Sequence, residues 1–330
     1  MSDAPSVSTS IGGACLCGAV AFAIAPPYRW FAHCHCSMCR KHHGSLFGTS
    51  LGVARAAFRW LEGTDEIVHY RATAAFERPF CRHCGSTVPA ASHDERYWTV
   101  PAGLLEGDPG ARPRTHIFVA SRSPLVELDS ILPQHAAYPP TIALPTVATR
   151  RAHDESAAVG RNLPPALAAL PPSLAVCRKV APALAALPPS LAVAGSCLCG
   201  AVAFTASALP RRVVNCYCSL CRRSRAAAFS STLLVSRETF RFDRGETSVR
   251  RYKLPTRQYG TDFCGECGSP VPRVGADAAM LPSGAIDSPL PPLPAVHLYV
   301  GSKAPWYEIS DSWPQFDELA PPEQLTEVFR

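Results

Sequence analysis

Several things are scarce in this chain, and each scarcity removes a class of explanation. No uninterrupted apolar run of about 18 residues is present, so a helix spanning a bilayer is not expected. Basic residues never gather beyond pairs such as Arg40-Lys41, Arg150-Arg151 and Arg222-Arg223. A net charge of +6 and a pI near 8.6 are therefore spread thinly, and no nucleic-acid partner is expected. The opening residues Met1-Ser2-Asp3-Ala4-Pro5 lack the basic and apolar regions of an export signal, so a cytoplasmic location is expected. No long 3.6-residue periodicity appears, which argues against a helical domain. Residues 141–193 contain no Phe, Trp or Tyr at all and cannot build a core.

Cysteine is what the chain has in abundance. Fourteen of its fifteen cysteines form one pattern written twice. The first copy is Cys15-x-Cys17, Cys34-x-Cys36-x-x-Cys39 and Cys81-x-x-Cys84; the second is Cys197-x-Cys199, Cys216-x-Cys218-x-x-Cys221 and Cys264-x-x-Cys267. Offsets between the copies are 197−15 = 182, 216−34 = 182 and 264−81 = 183. A chain of 330 residues is long enough for two such units, each with a core. The segments Cys15–Phe22 and Cys197–Phe204 both read Cys-Leu-Cys-Gly-Ala-Val-Ala-Phe. Short β-branched and aromatic runs follow, at 67–71, 97–100, 115–119, 248–253 and 296–300, punctuated by Gly and Pro. The fold class predicted is all-β: two tandem zinc-binding domains joined by a Pro/Ala-rich linker.

The expected boundaries are an N-terminal tail 1–10, a first domain 11–140, a linker 141–193, a second domain 194–320 and a C-terminal tail 321–330. Within the linker, residues 165–176 recur identically at 182–193, and Pro pairs prevent a long helix. This stretch reads as a tandem duplication in a tolerant spacer, and the lone Cys177 as a residue that ligates nothing.

Disulfides are the competing use of these cysteines. Seven per unit leaves one unpaired, and neighbours at C-x-C spacing on an extended segment point to opposite faces and bridge poorly. In a reducing compartment, clustered C-x-x-C pairs serve metals more often. Seven thiolates divide as four and three. Cys34, Cys36 and Cys39 can wrap one ion locally, which leaves Cys15 and Cys17 to pair with Cys81 and Cys84. The second unit divides likewise, into Cys197, Cys199, Cys264 and Cys267 against Cys216, Cys218 and Cys221. Four thiolates close a structural site, whereas three leave a corner for an exogenous ligand. About two Zn²⁺ ions per domain are expected.

Three thiolates on Zn²⁺ carry a net charge of about −1, so the ion acidifies water poorly but can hold a thiol as a nucleophilic thiolate. Arg40, Lys41, Arg222 and Arg223 follow the triplets and either bind a substrate carboxylate or remain solvated cations.

The motifs Gly13-Ala14-Cys15-Leu16-Cys17-Gly18, Cys34-His35-Cys36-Ser37-Met38-Cys39-Arg40-Lys41 and Phe80-Cys81-Arg82-His83-Cys84-Gly85-Ser86 resemble the glutathione-dependent formaldehyde-activating enzyme family, also called the CENP-V/GFA domain family. The second unit is similar through residues 195–200, 216–223 and 263–269. The resemblance implies a zinc-bearing β-tent fold, the same four-plus-three division, and a catalytic zinc at each triplet. It implies a carbon–sulfur lyase whose partners are a small thiol such as glutathione and a small aldehyde, and whose product type is S-hydroxymethylglutathione.

The copies depart from that pattern in different places. His35 and Gly44-Ser45 of the first unit become Tyr217 and Ala226-Ala227. The late segment kept in the second unit as Gly301-Ser302-Lys303-Ala304-Pro305-Trp306 has Leu125 at the Trp position in the first. Lys303 and Trp306 are candidate substrate residues, with burial under the last strand the alternative for Trp306. His35 either orients a substrate or a neighbouring group, or is a knuckle histidine bonded to backbone. His116 and His297 read as a shared structural pair. His42, His43 and His83 could add nitrogen ligands, but the second unit offers Ser224, Arg225 and Glu266 there. The two domains are placed to pair with each other, as two single-domain subunits would.

Overall fold

Cys15 and Cys17 sit at the turn of a hairpin whose strands alternate. The strands β1 (Ile11–Ala14) and β2 (Ala21–Ile24) pair antiparallel. Strand β2 buries Phe22 and Ile24 and leaves Ala21 and Ala23 half-exposed, the period of two that a one-sided sheet demands. The structure is a computed structural model and describes residues 10–92, 95–128, 131–139, 192–210 and 212–321. Of the repeated linker segment only Ala192 and Val193 are described, and Val193, expected to end the linker, instead opens a strand and is buried in the core. The rest, with Cys177, lies outside the described residues.

The remaining strands of the first unit are β3 (Tyr28–Cys34), β4 (Gly48–Ala54), β5 (Phe58–Glu62), β6 (Ile67–Arg71), β7 (Glu77–Cys81), β8 (Ala90–Ala91), β9 (Tyr97–Pro101), β10 (Thr115–Ile117) and β11 (Gln134–His135). They form a three-stranded sheet β1-β2-β5, a six-stranded sheet β11-β10-β3-β4-β9-β8 and the hairpin β6-β7. Pairing is antiparallel except at β3/β10 and β10/β11.

The second unit repeats this with β12 (Val193–Ser196), β13 (Ala203–Ala206), β14 (Val213–Cys216), β15 (Ser230–Ser236), β16 (Phe240–Arg244), β17 (Val249–Lys253), β18 (Gly260–Cys264), β19 (Arg273–Val274), β20 (Ala278–Pro282), β21 (Ala295–Leu298) and β22 (Gln315–Phe316). Its sheets are β12-β13-β16, β19-β20-β15-β14-β21-β22 and β17-β18. The chain is thus two sheet-rich halves of one design, and the all-β expectation holds.

Two details differ from the sequence reading. Each triplet opens a seven-residue helix, α1 (Ser37–His43) and α2 (Ser219–Arg225), too short to leave a periodicity. The run 115–119 stops as a strand at Ile117, because Phe118 turns to φ +58°, and Tyr299 does the same at φ +58° in the second unit. No helix among the described residues is long and apolar enough to cross a membrane.

The two halves share a core. One cluster of buried apolar side chains includes Phe22, Phe31 and Phe47 of the first unit with Phe204, Phe229 and Trp306 of the second. Ring centroids of Phe31 and Trp306 lie 5.6 Å apart, and those of Phe47 and Phe229 5.4 Å. The pairing is close to twofold. Gly103 abuts the backbone of Ala226 and Ala227, while its counterpart Gly284 abuts the carbonyls of Arg40 and Ser45. A Cβ on Gly284 would stand 2.0 Å from the Arg40 oxygen, so only glycine lets the chains approach this closely.

Candidate metal centres

The hairpin turn brings Cys15 and Cys17 together, and the knuckle at the end of β7 brings Cys81 and Cys84. The four Sγ atoms of this set all lie within 4.8 Å of one another, as do those of Cys197, Cys199, Cys264 and Cys267. Individual separations are 3.4 Å for Cys15–Cys17, 3.6 Å for Cys17–Cys81 and 3.8 Å for Cys199–Cys264. Sulfurs at tetrahedral corners about 2.3 Å from a zinc ion stand roughly 3.8 Å apart, so both sets fit one ion each. They do not fit disulfides, and all fourteen described cysteines are free thiols. Backbone N–H groups of Val20 and Val202 donate to Cys15 and Cys197 at 3.4 and 3.3 Å, which favours thiolate.

Cys34 ends β3, Cys36 caps α1 and Cys39 lies in its first turn. Their sulfurs also share a 4.8 Å sphere, as do those of Cys216, Cys218 and Cys221. Cys36 and Cys218 accept the backbone N–H of Cys39 and Cys221, each at 3.4 Å. Hydrogen bonds from Cys34 and Cys39 push the Cys36 thiol down to about 2, whereas the Cys34 thiol is pushed up and the Cys39 thiol is pushed up to about 12. The contacts thus favour one negative charge, on Cys36. Among the described residues no nitrogen or oxygen ligand joins either triplet.

The histidines have other work. His35 is fully buried, and its Nε2 shares a hydrogen bond with His116 Nδ1 at 2.9 Å, so its partner is a side chain rather than the backbone. Desolvation lowers its pKa to about 3, with His116 adding to the effect. In the second unit Tyr217 takes that place: its hydroxyl meets His297 Nδ1 at 2.9 Å, and His297 Nε2 meets Asp311 at 2.8 Å. His43 Nδ1 donates across the halves to the Arg225 carbonyl at 2.8 Å, and His83 pairs with Glu66 at 2.7 Å. His42 is buried between the halves.

Of the residues considered for substrate, Lys41 pairs with Asp287 at 2.6 Å and donates to Ser196 Oγ at 2.6 Å. Arg223 pairs with Glu106. Both contacts join the two halves, and their carboxylates neutralise these cations. Arg40 Nε donates to the His35 carbonyl at 3.3 Å, and Arg222 is half-buried near Cys218. Lys303 donates to the Tyr307 carbonyl at 2.5 Å, and Trp306 is 1% exposed, sealed into the shared core.

Three residues near the triplets left no sign in the sequence reading. Arg78 Nη2 lies 3.9 Å from Cys39 Sγ. Tyr138 lies near the first triplet; burial, then the charges of Cys34 and Cys39, push its hydroxyl up. Tyr259 lies 3.7 Å from Cys221 Sγ. Comparing the copies offers a signal only for Tyr259, which stands where the first unit has Phe76. The closed sets carry a cross-unit feature as well. Tyr252 lies near the first unit's four cysteines and Tyr70 near the second's, since burial and then those thiolates raise both hydroxyls.

Two knuckled units of this geometry match a known family. The model of the glutathione-dependent formaldehyde-activating enzyme family matches residues 10–121 and again 192–302. The chain belongs to this family, in two copies. Among its relatives is a protein of Halomonas elongata, provisionally named a glutathione-dependent formaldehyde-activating enzyme. It is 33% identical over 129 residues, 36% of this chain and 80% of the relative. A crystal structure of a Rhodobacter sphaeroides protein aligns at TM-score 0.26 and 24% identity, over 29% of this chain and 89% of that one.

Proposed function

We propose that this family member is a zinc-dependent carbon–sulfur lyase acting on a thiol–aldehyde adduct such as S-hydroxymethylglutathione. The observation that carries the reading is the triplet: three sulfurs gathered around one point, with no fourth ligand from the described residues. The donor set is soft and anionic, which suits zinc and a further sulfur. A zinc ion there would present an exogenous thiol as a nucleophilic thiolate.

In the synthetic direction the thiol sulfur forms the C–S bond with the aldehyde carbon, and the C=O π pair moves to oxygen. The proton given up by the thiol ends on that oxygen, so the sum is thiol plus aldehyde to hydroxymethyl thioether. The reverse reaction breaks the C–S bond and returns the proton to sulfur. The closed sets, buried beneath the knuckles, would hold structural zinc and fix the strand ends that carry the triplets. Arg40 and Arg222, which form no ion pair among the described residues, are the cations we keep for a substrate carboxylate. Free thiols at the fourteen described cysteines suit the cytoplasm, where we place the protein.

The test is exchange of labelled formaldehyde with glutathione, followed by NMR against the spontaneous rate. Acceleration by the wild type that Cys36→Ser abolishes, with the fold retained, supports the reading. A wild type with four bound ions and no acceleration overturns it. A second reading, in which one unit serves only as a zinc-stabilised scaffold, is favoured for the second unit by the burial of Cys218.

A further inference from the structure

The two triplets are copies in spacing but differ in surroundings. In the first unit Cys34, Cys36 and Cys39 all retain solvent exposure. Arg78, on β7, reaches Cys39 Sγ at 3.9 Å with Nη2, donates from Nη1 to the Glu77 carbonyl at 3.3 Å, and lies over the Phe76 ring. Its buried Nε has no hydrogen-bond acceptor among the described residues. Here a guanidinium stands at a thiolate cluster with donor capacity to spare.

In the second unit Thr261 occupies the position of Arg78, by the same 183-residue offset that relates Cys264 to Cys81. Tyr259 replaces Phe76 and lies over the cluster. Its hydroxyl reaches Ser224 Oγ at 2.7 Å, the Leu220 carbonyl at 3.3 Å and Cys221 Sγ at 3.7 Å. Cys218 is only 3% exposed and belongs to an apolar cluster with Leu220 and Leu254. Arg222 lies near Cys218 as its counterpart Arg40 lies near Cys36, and the further cation here is Arg225, which lies near Cys221 with Asp262 also near it.

Charge decides between them. A divalent ion with three thiolates is already at about −1, and a further thiolate takes it to about −2. In a half-buried place the added charge is costly unless a cation matches it. Resting on the open-triplet reading above, we propose that Arg78 makes the first unit the half that captures an exogenous small thiol, while the second triplet, covered by Tyr259, is kept as a closed partner. With zinc held by the triplet, capture would release the thiol proton to solvent and set the thiolate near Arg78, with no electrons transferred.

The test uses the full chain with cobalt(II) in place of zinc, the four ions counted by elemental analysis. Glutathione is then titrated while the thiolate-to-cobalt and d–d absorption bands are followed. One equivalent per chain is expected to bind. Arg78→Gln should weaken that binding about tenfold or more, and Arg78→Lys should restore most of it. Two equivalents of equal affinity, or an Arg78→Gln titration matching wild type, overturns the inference and leaves the metal reading intact. Four bound ions with no response to glutathione overturns the open-site reading as well.

Discussion

Lys41 of the first unit and Asp287 of the second form an ion pair, Nζ to Oδ1 2.6 Å, and Arg223 with Glu106 repeats it with the units exchanged. The pairs differ in depth: Lys41 and Asp287 are 16% and 44% exposed, Arg223 and Glu106 8% and 26%, and Lys41 keeps Ser196 Oγ as a second partner. Removing a carboxylate from a buried guanidinium leaves an unmatched charge, whereas a surface pair contributes little. Glu106→Gln should therefore cost about 2 kcal/mol or more, and Asp287→Asn under about 1 kcal/mol. Urea unfolding of the two variants checks this; the reverse order would contradict the geometry.

Close approach of the halves depends on Gly284. A side chain there meets the carbonyls of Arg40 and Ser45 at 2.0 and 2.5 Å, both backbone atoms that cannot swing away. Gly284→Val should destabilise the protein by about 3 kcal/mol and loosen the pairing of the units. Small-angle scattering and thermal unfolding would show it, and an unchanged melting temperature and radius would contradict it.

The four-plus-three division separates two cysteine variants. Cys17 belongs to a set drawn from segments over sixty residues apart, so its loss releases a loop as well as a ligand. Cys36 belongs to a local trio. Cys17→Ser should unfold the first unit, and Cys36→Ser should lose about one ion per chain while keeping its circular dichroism. Equal unfolding of both variants would argue against an open site.

Acid should weaken the interface before it strips the metal. His43 donates to the Arg225 carbonyl between the halves, and desolvation lowers its pKa from 6.5 to about 4. Between those values the unfolded chain binds a proton that the folded chain does not, so stability falls as pH falls through that window. His35, lowered to about 3, acts in the same direction. The urea midpoint should drop between pH 7 and pH 5 with zinc still bound, and His43→Asn should flatten the slope. A flat profile for the wild type would contradict this.

Much of the architecture is readable in the chain because it rests on period and spacing. Strand β2 announces itself through Phe22 and Ile24, and the cysteine register identifies the four sulfur sets before any coordinates. The helices α1 and α2 escape notice because two turns leave no amphipathic pattern. Arg78 escapes because its role depends on a strand from one segment lying beside a helix from another. Lys41 and Arg223 look like free surface cations until the second unit supplies their carboxylates. His35 reads as a backbone-bonded knuckle residue until His116, 81 positions away, is folded against it.

The most direct test is metal content and sulfur coordination together, on full-length protein purified under reducing conditions. About four zinc ions per chain are expected, with X-ray absorption giving a mixture of four-sulfur and three-sulfur environments at about 2.3 Å. A preparation carrying almost no metal, with its cysteines joined in disulfides, would contradict the account.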